Sequence, residues 1–272
     1  MTDIGNNRLM IAFDEPRARG TGLLVPFITA GYPDLQTTVE LLKDFERRGV
    51  TVCELGVPFS DPVADGPTIQ ASYTDALTAG VNSNAIFQAV RRWRDDGGAM
   101  ALLAMVSYSI VYRHGLEEYL RAAKNAGFDG VIIPDLSLEE ADKVESACRE
   151  LNLANVMLVA PTTPPDRRLE IARHCSGFIY FISVAGITGE RSRLPDATIA
   201  AVAELRKHTE TPVCVGFGIS SPEMVRTVCK VADGAIVGSA IVHRITDNKD
   251  LPRDELVKLV GDFVGELMAP LS

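Results

Sequence analysis

The sequence predicts a single (β/α)8 barrel, an α/β fold. Two observations carry this: eight short aliphatic or β-branched runs alternate with amphipathic stretches, and the turn signature of an open nucleotide-binding sheet is missing. Runs that are apolar on both faces and alternate with helices belong to a parallel sheet covered by helices. Eight such units in 272 residues suit one barrel, which commonly takes ~250 residues. A doubly wound sheet should show G-x-G-x-x-G after its first strand. Here the first run leads into Ala30-Gly31-Tyr32-Pro33, and GFGISS at 216–221 keeps only the first two glycines.

The strands are expected at Leu23–Thr29, Val52–Gly56, Ala101–Val106, Gly130–Pro134, Val156–Ala160, Phe178–Ser183, Pro212–Gly216 and Ala235–Gly238. Helical patterns fill the gaps, as in TTVELLKDFERRG, where Val39, Leu42 and Phe45 fall on one face. Gly49 and Gly127 stand where helices end, and Ser221 before Pro222 reads as an N-cap followed by a first-turn proline. Residues 1–20 are expected to be a short irregular extension of a 1–272 domain, because Pro16 interrupts any helix there. No linker or low-complexity tract divides the chain.

A formal net charge of −9 disfavours nucleic acid, whose phosphates require a basic surface. An anionic metabolite remains compatible if backbone amides supply the local field. Cys53, Cys148, Cys175, Cys214 and Cys229 form no C-x-x-C pair and read as reduced core thiols. His114, His174, His208 and His243 lie far apart without metal-ligand spacing and read as surface or helix-end residues. Neither a signal peptide nor a run near the ~20 apolar residues of a membrane helix is present, so the expectation is a cytoplasmic protein.

A barrel's active site forms at the C-terminal ends of its strands. Glu54, inside the apolar run Val52–Gly56, is the clearest candidate, since an unpaired carboxylate there costs desolvation energy. An internal ion pair is the competing structural role. The loop that follows, Val57 to Pro67, adds three prolines and two carboxylates, Asp61 and Asp65. Asp65 could reach the barrel mouth beside Glu54, and paired carboxylates with separated pKa values are a common acid–base device. Gly216-Phe217-Gly218 and Gly238-Ser239 end the last two strands, where barrels often hold phosphate on backbone amides. The polar stretch Ser183–Pro195 has two glycines and reads either as a lid or as a plain surface loop.

Five segments, PFITAGYPD (26–34), ELGVPFSDPVADGPTIQ (54–70), AGITGERS (185–192), VGFGISSPE (215–223) and IVGSAIV (236–242), resemble the tryptophan synthase α-subunit family. The resemblance runs from about Arg8 to the C-terminus. It implies a cofactor-free, metal-free lyase that splits indole-3-glycerol phosphate into indole and glyceraldehyde 3-phosphate, docked on a pyridoxal-phosphate β subunit in an α2β2 complex. It also implies Glu54 as the principal acid–base group and Asp65 as the carboxylate contacting the indole N–H. Tyr180 matches the tyrosine near the glutamate, Phe27 the indole-pocket aromatic, and Thr188 the lid residue that orders Asp65. Gly189, Phe217, Gly218, Gly238 and Ser239 match phosphate-binding positions. Pro16, Ser107-Tyr108-Ser109-Ile110 and Ser137 depart from the usual pattern, the last two on the side that faces the β subunit. The alternatives are a stand-alone indole-releasing lyase and a catalytically silent regulatory subunit; intact Glu54, Asp65 and Thr188 argue against the second. A phosphosugar isomerase is disfavoured by the ELGVPFSDP loop.

Overall fold

All eight aliphatic runs form strands in a computed structural model, which describes residues 7–62, 65–183, 195–216 and 218–271. The strands are β1 (Leu23–Thr29), β2 (Val52–Gly56), β3 (Ala101–Met105), β4 (Gly130–Ile132), β5 (Ala154–Val156), β6 (Leu158–Val159), β7 (Ile179–Ile182), β8 (Val213–Gly216) and β9 (Gly234–Val237). Every strand pair is parallel, and the pairing order is β5-β4-β3-β2-β1-β9-β8-β7-β6. The two ends of that order, β5 and β6, are separated along the chain by Met157 alone. The ladder therefore runs once around a barrel, as expected.

The ninth segment arises because the fifth run is split. β5 bonds to β4 and β6 to β7. Between them, the Met157 carbonyl accepts from the Tyr180 N–H at 3.0 Å. The chain transfers its hydrogen bonds from one neighbour to the other there, and regular pairing lapses for a residue.

The expectation of an irregular N-terminus needs correction. Arg8–Arg19 is a 12-residue helix that continues through Pro16. Asn7 caps it by accepting from the Leu9 N–H at 2.9 Å. Leu9 and Phe13 are buried, and Phe13 meets Phe178 at 6.0 Å between ring centroids. Only three residues follow the proline before Gly20, so packing of the first turns outweighs one missing backbone bond. The predicted helix ends do hold: Gly127 closes its helix at φ +109°, and the Ser221 hydroxyl accepts from the Met224 N–H at 3.3 Å.

At the N-terminal rim two Asp-Gly pairs act alike. Asp129 precedes β4 and accepts the Leu102 N–H at 3.0 Å. Asp233 precedes β9 and accepts the Val213 N–H at 2.9 Å. Both carboxylates are buried and paired with arginine: Arg94 at 2.8 Å and Arg8 at 2.9 Å on Asp129, and Arg206 at 3.2 Å on Asp233. These pairs anchor the surrounding helices to the end of the barrel opposite the candidate site.

Candidate active site

Glu54 sits in the middle of β2, level with Phe27 of β1 and Leu103 of β3. It is fully buried, and neither carboxylate oxygen has a hydrogen-bond partner among the described residues. Burial pushes its carboxyl well above the usual carboxylate range. The internal ion pair that would have given Glu54 a purely structural role is absent among the described residues. A neutral carboxyl without partners, aimed at a barrel interior, is a proton source in waiting.

Side chains alternate along a strand, so Gly56 shares the face of Glu54. Its missing side chain is required. A Cβ at Gly56 would lie 2.5 Å from a Phe27 ring carbon and 2.7 Å from the Tyr73 hydroxyl oxygen. Phe27 itself is buried between Gly56 and Gly238. Across the barrel, Tyr180 of β7 is buried with its hydroxyl against Gly216. Burial holds the Tyr180 phenol protonated, and Glu54 and then Asp65, whenever ionised, push it the same way.

Asp65 is half-buried on the loop after β2. Burial pushes its carboxyl up to about 6. Gln70, one turn into the helix Pro67–Thr78, donates to the Asp65 carbonyl at 2.8 Å and to that of Pro62 at 3.2 Å. One amide thus holds both sides of the loop. Asp65 lines a cleft with Val57, Phe59, Tyr73, Ser107 and Asp135. The other loop carboxylate, Asp61, is exposed and bonded to the Ser60 hydroxyl at 2.6 Å.

Beyond β1, at the end of β9, Gly238 is the N-cap of the helix Ser239–Asn248, with no side chain capping it. The first amides of this helix to find carbonyls are those of Ile241 and Val242, both on Gly238 O. Ser239 is exposed at the helix start, and Gly218 has φ +76° with open space at its Cβ position. A helix N-terminus whose first amides find no acceptor among the described residues, together with a left-handed glycine after β8, suits an anion. Thr188, Gly189 and Phe217 lie outside the described residues.

The structure thus brings Glu54, Phe27 and Tyr180 into one interior, with Asp65 at its edge. Sequence reasoning missed Tyr73, which faces the same interior from a helix. A tyrosine on an amphipathic helix reads as core, and no local pattern separates the two roles. The cysteines are free, and four of the five are buried, as expected. His174 is a helix-end residue, closing the helix Pro165–His174; its Nδ1 lies 2.7 Å from Glu145 and 3.5 Å from Asp142, a group able to converge on a metal ion. It sits on the outer helices, with Glu145 also bound to Arg149 at 2.8 Å.

A parallel barrel carrying one carboxylate buried in its interior and another at the edge of that interior, beside a helix N-terminus without a side-chain cap, belongs to the class of acid–base barrel enzymes. The comparisons narrow this class. The family model "Tryptophan synthase alpha chain" matches residues 13–268. The tryptophan synthase alpha chain of Rhodopirellula baltica is 45% identical over 241 residues, covering 88% of this chain and 87% of that one. That of Synechocystis sp. is 43% identical, covering 98% and 100%. A solved tryptophan synthase from M. tuberculosis superposes with a TM-score of 0.87 at 33% identity, covering 98% of this chain and 99% of that one. The chain belongs to the tryptophan synthase α-chain family. It is a carbon–carbon lyase of tryptophan biosynthesis that cleaves indole-3-glycerol phosphate, with a β subunit as its family partner.

Proposed function

We propose that Glu54 and Asp65 divide the acid–base work of this cleavage. The carrying observation is that Glu54 is buried, has no partner among the described residues and is driven toward its neutral form, with Asp65 facing the same interior. Protonated Glu54 gives its proton to indole C3. The positive charge this creates on the ring nitrogen is stabilised by the Asp65 carboxylate, which accepts the indole N–H. Glu54, now ionised, takes the proton of the adjacent side-chain hydroxyl. The electron pair of the carbon–carbon bond returns to the indole ring as the bond breaks, leaving indole and the aldehyde of glyceraldehyde 3-phosphate. Glu54 ends the cycle protonated, as it began, so its protons balance.

Phe27 forms one wall of the indole pocket, and Tyr180 lies near Glu54. The substrate phosphate sits on the amides at the start of the helix Ser239–Asn248 and beside Gly218. Phe217 and Gly189 complete the phosphate site and Thr188 orders Asp65, all three on the family motif alone. The working assembly is α2β2 in the cytoplasm. Among the described residues no helix is long and apolar enough to cross a membrane.

Asp65→Asn keeps the size of the side chain and removes its charge. Indole release from indole-3-glycerol phosphate should fall on the order of a hundredfold. A variant near wild-type rate overturns the role of Asp65. Titrating a β subunit into the wild-type chain should raise its rate and give a complex on gel filtration; neither effect would favour the stand-alone lyase.

A further inference from the structure

Tyr73 stands on the helix that follows the Asp65 loop, and that helix is fixed to the barrel. The Ser72 hydroxyl, next to Tyr73, lies 2.7 Å from the Thr29 hydroxyl at the end of β1 and 2.7 Å from the Ile69 carbonyl. The Tyr73 side chain is 3% exposed. Its hydroxyl lies beside Gly56, two residues beyond Glu54, and its ring lines the cleft that holds Asp65. The hydroxyl makes no hydrogen bond among the described residues. A phenol O–H on this cleft can donate to a carboxylate, and the ionisable groups nearest it are acceptors.

The ionisable groups around Tyr73 are acidic or phenolic. Asp65 acts on it most strongly and Glu54 next, whereas Tyr180 feels Glu54 before Asp65. Both tyrosines thus lie within the field of both carboxylates. Asp61 and Asp135 line the same cleft at the rim. The helix Ser239–Asn248, packed beside the Tyr73 helix, places His243 against Asp247 at 3.4 Å, both exposed. Lys249 at its end binds Asp75 at 3.3 Å.

We propose that the Tyr73 hydroxyl donates a hydrogen bond to the Asp65 carboxylate when substrate is bound, so that Tyr73 is a positioning residue for the lyase reaction. The proposal rests on the role assigned to Asp65 above. A phenol donor on a carboxylate favours its ionised form, which is the form that stabilises positive charge on the indole nitrogen. It also turns one oxygen toward Tyr73 and leaves the other for the indole N–H.

The test is Tyr73→Phe, which removes one oxygen and keeps the ring that supports Phe27 and Gly56. Indole release should be measured from pH 5 to 9, alone and combined with Asp65→Asn, with thermal unfolding as the control for folding. The expected result is a kcat lowered on the order of tenfold at neutral pH with KM nearly unchanged. The acid limb of the kcat profile should move to higher pH, and Tyr73→Phe should add nothing to Asp65→Asn. 3-Fluorotyrosine at position 73, a stronger donor, should move the acid limb the other way. Superimposable profiles, or a drop that is uniform across pH and persists in the Asp65→Asn background, would overturn the proposal. Near wild-type activity in Asp65→Asn alone would instead remove the reading of Asp65 on which it stands.

Discussion

Glu54→Gln should make the protein gain on the wild type in stability as pH rises, while abolishing indole release. In the fold, burial favours the neutral carboxyl of Glu54. In the unfolded chain the same group ionises near its ordinary value of about 4.3. The stability that Glu54 contributes is therefore full below that value. It declines as pH rises toward the folded-state value, because unfolding releases a proton that the fold withholds. The slope across this window is about 1.4 kcal/mol per pH unit. Glutamine keeps the shape and carries no titrating proton. Between pH 5 and pH 6 alone, the stability of Glu54→Gln relative to wild type should rise by about 1.4 kcal/mol. Asp65, with its carboxyl near 6, declines over the same range in both proteins and largely cancels in the difference. At ~2–4 °C per kcal/mol for a chain of this size class, the divergence is readable in thermal melts and in urea titrations at several pH values. A buried glutamine amide has its own unsatisfied donors, so the sign of the difference at one pH is not diagnostic; the divergence is. Parallel stability curves, or a gap that narrows as pH rises, would show that Glu54 is already ionised in the fold.

Gly56→Ala should cost about 1–3 kcal/mol in urea unfolding, because the new methyl overlaps both the Phe27 ring and the Tyr73 hydroxyl. Its activity should fall with it as the indole pocket closes; unchanged stability would mean that these rings give way freely. Arg94→Met leaves buried Asp129 with Arg8 as its remaining ionic partner and removes the hydrogen bonds to Gly127, Gly98 and Met100 carbonyls. Stability should drop by about 3 kcal/mol with KM unchanged, and a shift in KM instead would tie this rim to the substrate site.

Much of the fold was legible because the barrel repeats one simple pattern. A strand covered on both faces has no polar alternation, and an aliphatic run recurring with helical stretches between admits few architectures. β1 and β2 match their expected limits of Leu23–Thr29 and Val52–Gly56. Glu54 was legible for the converse reason: a charge in an apolar strand violates the local pattern and so announces itself. The irregular N-terminus failed because Pro16 was weighed by backbone propensity alone, whereas Leu9 and Phe13 bury themselves against the barrel floor. The break at Met157 depends on which neighbour each half-strand bonds, which no local pattern encodes.

The sequence by itself therefore determined the order of strands and helices, the glycines at their ends and the carboxylate that does not belong in a core. Only the tertiary structure decided what surrounds that carboxylate. Glu54, Phe27, Tyr73 and Tyr180 come from β2, β1, an outer helix and β7, far apart along the chain, and they meet because barrel closure brings the C-terminal strand ends around one interior. The same closure buries Glu54 with no cationic partner among the described residues, and its raised proton affinity follows from that burial. A glutamate in a sequence carries no information about its dielectric surroundings; the packed barrel sets them.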